Sequence, residues 1–277
     1  MKQSLYNPRL QQHLRLIEQA LPDYLPTGAD DLSTAMRYAC EAGGKRIRPV
    51  LTLEFCRLCG TEVERALPFA CAVEMIHSYS LVHDDLPCMD DSPLRRGKPS
   101  VHAAFGEAAA LLAGDALLTQ AFQVMADAQV PAEFIAAAVS VLAGAAGGAG
   151  MVGGQMLDLD SEGKAISLDT LERLQQGKTA ALLIAACELG CLAAGAGTAQ
   201  RDAARRFGEG IGLSFQIVDD ILDITSTNEA LGKPTGSDQR NEKVTYVSVV
   251  RILPICLNSS MRFSQNDTKY SFTGGAE

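Results

Sequence analysis

Two short acidic runs carry the residue types that could hold a divalent cation. One is Asp84-Asp85-Leu86-Pro87-Cys88-Met89-Asp90-Asp91 and the other Asp219-Asp220-Ile221-Leu222-Asp223. On a helix, positions i and i+4 share a face, so Asp219 and Asp223 project together with Asp220 beside them. Like charges so placed repel, and something cationic should compensate. Hard carboxylate oxygens suit Mg2+, which keeps several waters and completes its shell with substrate phosphates. A solvated acidic face is the plainer reading, but Ile211, Leu213, Phe215, Ile217, Val218, Ile221 and Leu222 make the surrounding helix apolar. The first run closes another apolar helix. A helix C-terminus is already the negative end of the dipole, so acids stacked there make sense if a metal is the partner. Arg95, Arg96 and Lys98 follow closely. Carboxylates for metal beside guanidiniums for phosphate is the combination that a metal–diphosphate complex needs. A charged surface loop is the alternative.

A second basic set lies in Gly43-Gly44-Lys45-Arg46-Ile47-Arg48-Pro49. Its glycines permit close backbone approach, and Lys45 and Arg48 could share a face near a helix start, which favours anions. The set reads as a second, metal-free diphosphate site, against surface charge that merely aids solubility. His77 stands two helical turns before Asp84 and could add a donor, whereas His83 reads as less suited to the substrate, and His13 and His102 carry no signal. Lys178-Thr179 and Gln216 are polar groups inside apolar helices and need partners. They could line the gap between the acidic clusters and steady a developing carbocation. Lys233 and Lys243 could close over phosphate, and Gly153-Gly154-Gln155 with Asp158 could shape the same cavity.

The elements that must position these groups are helical. The 277 residues are 47% apolar and 5% aromatic, without tryptophan, a mixture that favours packed helices. Helices are predicted over 10–21, 29–42, 48–60, 62–83, 107–128, 132–147, 168–190 and 199–225, with 92–106 as a loop and almost no strand signal. The expectation is one all-α domain over 1–250, a large bundle. No stretch reads as a bilayer span and Met1–Leu5 lacks a signal-peptide core, so a cytoplasmic protein is expected. A net charge of −9 argues against a nucleic-acid partner. The eight cysteines lie mostly in apolar surroundings and read as reduced core thiols, including Cys56 and Cys59 of a lone CxxC.

Taken together and in order, Gly43–Pro49, His77, Asp84-Asp85-x4-Asp90 with Arg95-Arg96, Gly153-Gly154-Gln155, Lys178-Thr179, Gln216-x2-Asp219-Asp220-x2-Asp223 and Lys233 resemble the trans-prenyltransferases, in particular the bacterial farnesyl diphosphate synthases. The resemblance spans roughly 5–250. It implies an isoprenoid synthase fold with a central cavity, commonly a homodimer, and a Mg2+-dependent condensation of isopentenyl diphosphate with an allylic diphosphate. It implies that Asp84 and Asp90 bind Mg2+ from one side and Asp219 from the other, supported by Asp85, Asp220 and Asp223. Arg95 would hold the allylic diphosphate. Lys45, Arg48, His77 and Arg96 would hold isopentenyl diphosphate. Lys178, Thr179 and Gln216 would border the reacting carbons, with Lys178 and Lys233 also reaching the allylic diphosphate. Tyr79, five residues before Asp84, would stop chain growth at fifteen carbons.

The tail departs from the family. From about Arg251 no apolar period is sustained, and 251–277 reads as a disordered or foreign end rather than a mobile lid. That departure leaves a catalytically impaired chain as one alternative; a longer-chain (geranylgeranyl) synthase is a separate one. A terpene cyclase would pair one aspartate motif with an Asn/Ser/Glu motif and an aromatic pocket. A non-catalytic subunit would be expected to lose one acidic cluster. An acidic helical scaffold leaves the matched basic sets unexplained.

Overall fold

The computed structural model describes residues 8–225, with side chains through Val218. Its helices are α1 (Pro8–Ala20), α2 (Asp31–Glu41), α3 (Ile47–Leu58), α4 (Leu67–Asp84), α5 (Val101–Phe105), α6 (Glu107–Ala126), α7 (Ala132–Ala146), α8 (Met151–Ser161), α9 (Leu168–Gln175), α10 (Ala181–Ala193) and α11 (Thr198–Thr225). This is the all-α bundle that the sequence implied, with one short hairpin added. Two helices, α4 and α10, are buried on nearly every face, from Phe69 through Ile76 in one and Leu182 through Ala193 in the other. Helices that are apolar all round belong in the centre of a bundle. The others pack about them: α3 touches both, α6 lies along α4, and α7 and α11 lie along α10. Where α10 crosses α3, Gly190 lets the backbones meet, and Thr52 Oγ donates to the Ala186 carbonyl at 3.0 Å.

Three local expectations need correction. Residues 92–106 are not simply a loop. Leu94–Arg95 (β1) and Lys98–Pro99 (β2) form a small antiparallel hairpin with Leu94 opposite Pro99, and α5 follows. Its two turn residues, Arg96 and Gly97, have φ of 54° and 76°. Positive φ at both is what a two-residue I′ turn requires, usually with Asn-Gly rather than Arg-Gly, which hid the signal. The stretch 168–190 is not one helix either. A π-helical turn, Gln176–Ala180, separates α9 from α10 and carries Lys178 and Thr179. Such turns are frequent at functional sites. Finally, α6 and the stretch 132–161 are long and apolar enough to span a bilayer by composition, contrary to the sequence reading. In the fold α6 packs against α4, and 132–161 breaks into α7 and α8 around Gly147–Gly150.

Helix α8 crosses the π turn at Gly154. A Cβ there would fall on the backbone nitrogen of Lys178. Gly154→Ala must therefore push α8 off the turn and is expected to cost about 1–3 kcal/mol, the usual range for overpacking. Thermal unfolding measures the loss, and a wild-type midpoint would contradict the close crossing.

Of the cysteines among the described residues, Cys40, Cys56, Cys71, Cys187 and Cys191 are buried, Cys59 is partly so and Cys88 is exposed. Cys59 faces Cys191 at 3.7 Å, not its CxxC neighbour.

Candidate active site

Helix α4 supplies one wall of a cavity of about 940 Å³. His77, Ser80, Leu81 and Asp84 are spaced i, i+3, i+4 and i+7, so they lie along one stripe of the helix, and all four line the space. The opposite wall comes from Met151, Gln155 and Leu159 of α8, Lys178 and Thr179 of the π turn, and Phe215 and Gln216 of α11. Lys45 and Arg48 enter from the start of α3 and Arg96 from the hairpin. The fold thus gathers Lys45, Arg48, His77, Tyr79, Asp84, Arg96, Lys178, Thr179 and Gln216 on one cavity. The side chains of Asp219, Asp220 and Asp223, on the last turns of α11, and all of Lys233 and the 251–277 tail lie outside the described residues.

The acidic run after α4 folds back on its own helix end. Asp90 N–H donates to the Asp84 carbonyl at 2.9 Å, Asp91 N–H to Leu86 at 3.1 Å and Ser92 N–H to Asp85 at 3.1 Å. These bonds satisfy carbonyls that a helix end otherwise leaves open. They also hold the backbones of Asp84 and Asp90 together across six residues of sequence. Asp85 behaves differently from its neighbours. Its carboxylate is 2% exposed and is taken by Arg95, whose Nε lies 3.1 Å from both oxygens and whose Nη2 donates to Oδ1. Its immediate partner is therefore a guanidinium, and it aims Arg95 rather than facing the cavity.

The cation end has an anchor that the sequence reading assigned no role. Arg46 takes φ of 48° and turns inward, its guanidinium fully buried. It donates to Glu74 Oε1 at 2.7 Å, to Glu18 Oε1 at 2.8 Å and to the Cys40 carbonyl at 2.7 Å. The inward turn of residue 46 leaves Lys45 and Arg48 on the cavity side. Lys45 sits before the helix, so the two do not share a helical face as expected. Arg96 donates to the Gly43 carbonyl and lies flat on Gly44, where a Cβ would come within 2.8 Å of the guanidinium. An acid inside the apolar stretch 69–76 was the available signal for Glu74: a buried carboxylate needs a cation.

The electrostatics follow from this crowding. Burial and the arginines 48, 96, 46 and 95 hold the His77 imidazole well below 6.5. Arg48 and Arg96 are themselves lowered by burial. Arg48 Nε is buried with no hydrogen-bond partner among the described residues. So many cations around a neutral histidine and an unsatisfied N–H define a place for an anion. Filling it with inorganic diphosphate is expected to raise the His77 pKa, since negative charge favours the imidazolium. NMR titration of the ring with and without diphosphate reads the change. A midpoint near 6.5 without the anion would contradict it. The sign for stability follows: because the folded value is depressed, the His77 contribution is intact above the unfolded value and declines as pH falls through it toward the folded one.

Between the two ends, Lys178 Nζ rests on Asp158 Oδ2 at 2.5 Å, and Thr179 Oγ donates to Gln216 Oε1 at 3.2 Å. Among the described residues no three metal-ligating side chains cluster. The donors present on the α4 side, Asp84 and Asp90, are the hard oxygens that Mg2+ takes when phosphate completes its shell.

A helical bundle with one cavity lined by Asp84, several cations and apolar side chains suits polyanionic, partly apolar substrates. Residues 29–259 match the polyprenyl synthetase family, and the chain belongs to that family. It is 46% identical over 248 residues to a farnesyl diphosphate synthase of Geobacillus stearothermophilus, covering 88% of this chain and 84% of that one. It is 47% identical over 243 residues to a geranylgeranyl diphosphate synthase of Cyanophora paradoxa, covering 86% and 81%. Among solved structures, a geranyltransferase of Helicobacter pylori complexed with magnesium and isoprenyl diphosphate superimposes with a TM-score of 0.81 at 32% identity, covering 92% of this chain and 88% of the other. The chain is a prenyltransferase.

Proposed function

We propose that this chain condenses isopentenyl diphosphate head to tail with dimethylallyl or geranyl diphosphate, giving mainly farnesyl diphosphate and releasing diphosphate, as a Mg2+-dependent cytoplasmic homodimer. The supporting observation is one cavity lined both by Asp84 and, two turns back along α4, by His77 with Lys45, Arg48 and Arg96. Asp84 and Asp90 would hold Mg2+ from one side and Asp219, with Asp220 and Asp223, from the other. When bound, the metal neutralises charge developing on the departing diphosphate.

The chain's own residues divide the remaining work. Lys45, Arg48, His77 and Arg96 bind the isopentenyl diphosphate and keep its double bond facing the allylic carbon. Arg95, aimed by Asp85, and Lys178 with Lys233 hold the allylic diphosphate. Thr179 and Gln216 turn their dipoles toward the carbon that becomes cationic, a preorganised stabilisation that costs no reorganisation during reaction. The apolar wall of Met151 and Leu159 keeps water from the cation. The proton lost from the isopentenyl unit passes to the departing diphosphate. Residues 1–250 form the catalytic domain in this reading, with 251–277 an appendage outside it.

The test is incubation of the full chain with isopentenyl diphosphate and each allylic diphosphate, with Mg2+ or with chelator, and mass analysis of products. Fifteen-carbon product with Mg2+ and none with chelator is expected. Absence of any prenyl product would overturn the reading. The geranylgeranyl name of one relative makes the length the point to examine. Tyr79 is buried in the wall five residues before Asp84, so Tyr79→Ala is expected to shift product toward twenty carbons. An unchanged fifteen-carbon product in that variant would remove Tyr79 as the floor.

A further inference from the structure

Tyr79 does not hold its position alone. Its ring meets the His83 imidazole edge-on, with centroids 5.7 Å apart and planes at 72°. The two are i and i+4 on α4, so they stack along one side of the helix. The imidazole is itself pinned. Its Nε2 lies 3.0 Å from the Leu111 carbonyl of α6. The ring fits there only because residue 114 has no side chain: a Cβ on Gly114 would fall inside the imidazole, nearest Nε2. Leu111 and Gly114 are one turn apart, so the acceptor and the notch belong to one feature of α6. Its Nε2 is thus taken up at the Leu111 carbonyl, 4.0 Å from Asp115 Oδ1, while the imidazole borders the cavity beside Tyr79.

We propose that His83, lodged in the Gly114 notch of α6, is a positioning residue for product length: it props the Tyr79 ring across the path of the growing chain. The proposal rests on the reading that Tyr79 limits that chain. A prop matters because an aromatic ring at a cavity wall can rotate aside, and chain extension would press on it. Helix α6 supplies the fixed point, and the imidazole transmits it.

Gly114→Ala is the sharpest test, because it adds one methyl group on the far side of His83 and touches no substrate. It should displace the imidazole and raise the ratio of twenty- to fifteen-carbon product about tenfold, the low end of what one apolar contact discriminates. The KM for isopentenyl diphosphate should not move. His83→Ala should shift products the same way, and since it only removes atoms it carries the test if Gly114→Ala does not fold. The double variant Tyr79→Ala/Gly114→Ala should give the same products as Tyr79→Ala, since both act through one ring. Lengthening in Tyr79→Ala with unchanged products in both Gly114→Ala and His83→Ala overturns the prop and leaves the Tyr79 floor standing. No lengthening in any variant overturns the floor and the prop with it. A further, additive lengthening in the double variant also overturns the prop.

Discussion

Replacing Asp84 by asparagine is expected to lower kcat about a thousandfold, equivalent to about 4 kcal/mol of barrier. The residue ends the stripe His77–Ser80–Leu81–Asp84 and stands where α4 opens on the cavity. Asparagine keeps the shape and removes the charge, so the loss reports electrostatic work rather than packing. Asp85→Asn should behave differently, although the two are adjacent. Its carboxylate is committed to Arg95, so its loss frees that guanidinium and should act chiefly on the KM of the allylic substrate. Steady-state kinetics with each substrate varied in turn separates the two. Equal kcat losses at both positions, with KM unmoved at both, would refute the division of labour. Excess chelator should abolish turnover of the wild-type chain, and added Mg2+ should restore it.

Arg46→Met is expected to destabilise the protein by about 3–5 kcal/mol, because it leaves the Glu74 carboxylate buried without its cation. For a chain of this size that is on the order of 10 °C in melting temperature. Glu74 is 2% exposed, while Glu18 is 47% exposed at its side chain and can turn to water. The damage should therefore come through Glu74. Adding Glu74→Leu to Arg46→Met should recover much of the melting temperature, since neither charge is then left unpaired. It should not recover the affinity for isopentenyl diphosphate. The inward guanidinium is what fixes residues 43–48 with Lys45 and Arg48 facing the cavity, and an apolar pair does not reproduce its hydrogen bond to the Cys40 carbonyl. A wild-type melting temperature in the single variant would show that Arg46 is not the anchor.

Much of the bundle was legible because helices announce themselves locally. Asp30 caps α2 by accepting from Ser33 N–H at 2.9 Å, as an aspartate before an apolar period should. The long apolar runs of α4 and α10 were visible as such, although only the fold showed them to be its central pair. What stayed hidden was hidden for physical reasons. The π turn at 176–180 changes the helical period by one residue over a single turn, too little to disturb an apolar pattern. The hairpin at 94–99 rests on an arginine with positive φ, a conformation that residue type seldom signals. His83 read as a bystander because its partners, Leu111 and Gly114, lie on another helix.

The residue types and their short spacings determined the chemistry: carboxylates at the end of one apolar helix and within another, cations beside glycines, polar groups embedded among aliphatic ones. Those features act over one or two turns, and a helix fixes them without outside help. Only the tertiary structure decided which group meets which. It sent Arg95 to Asp85, Arg46 to Glu74, Lys178 to Asp158, Thr179 to Gln216 and His83 to the notch at Gly114. Such pairings depend on how closely two helices approach. That distance is set by bare Cα positions and buried charges on both partners at once, which no single stretch of sequence contains.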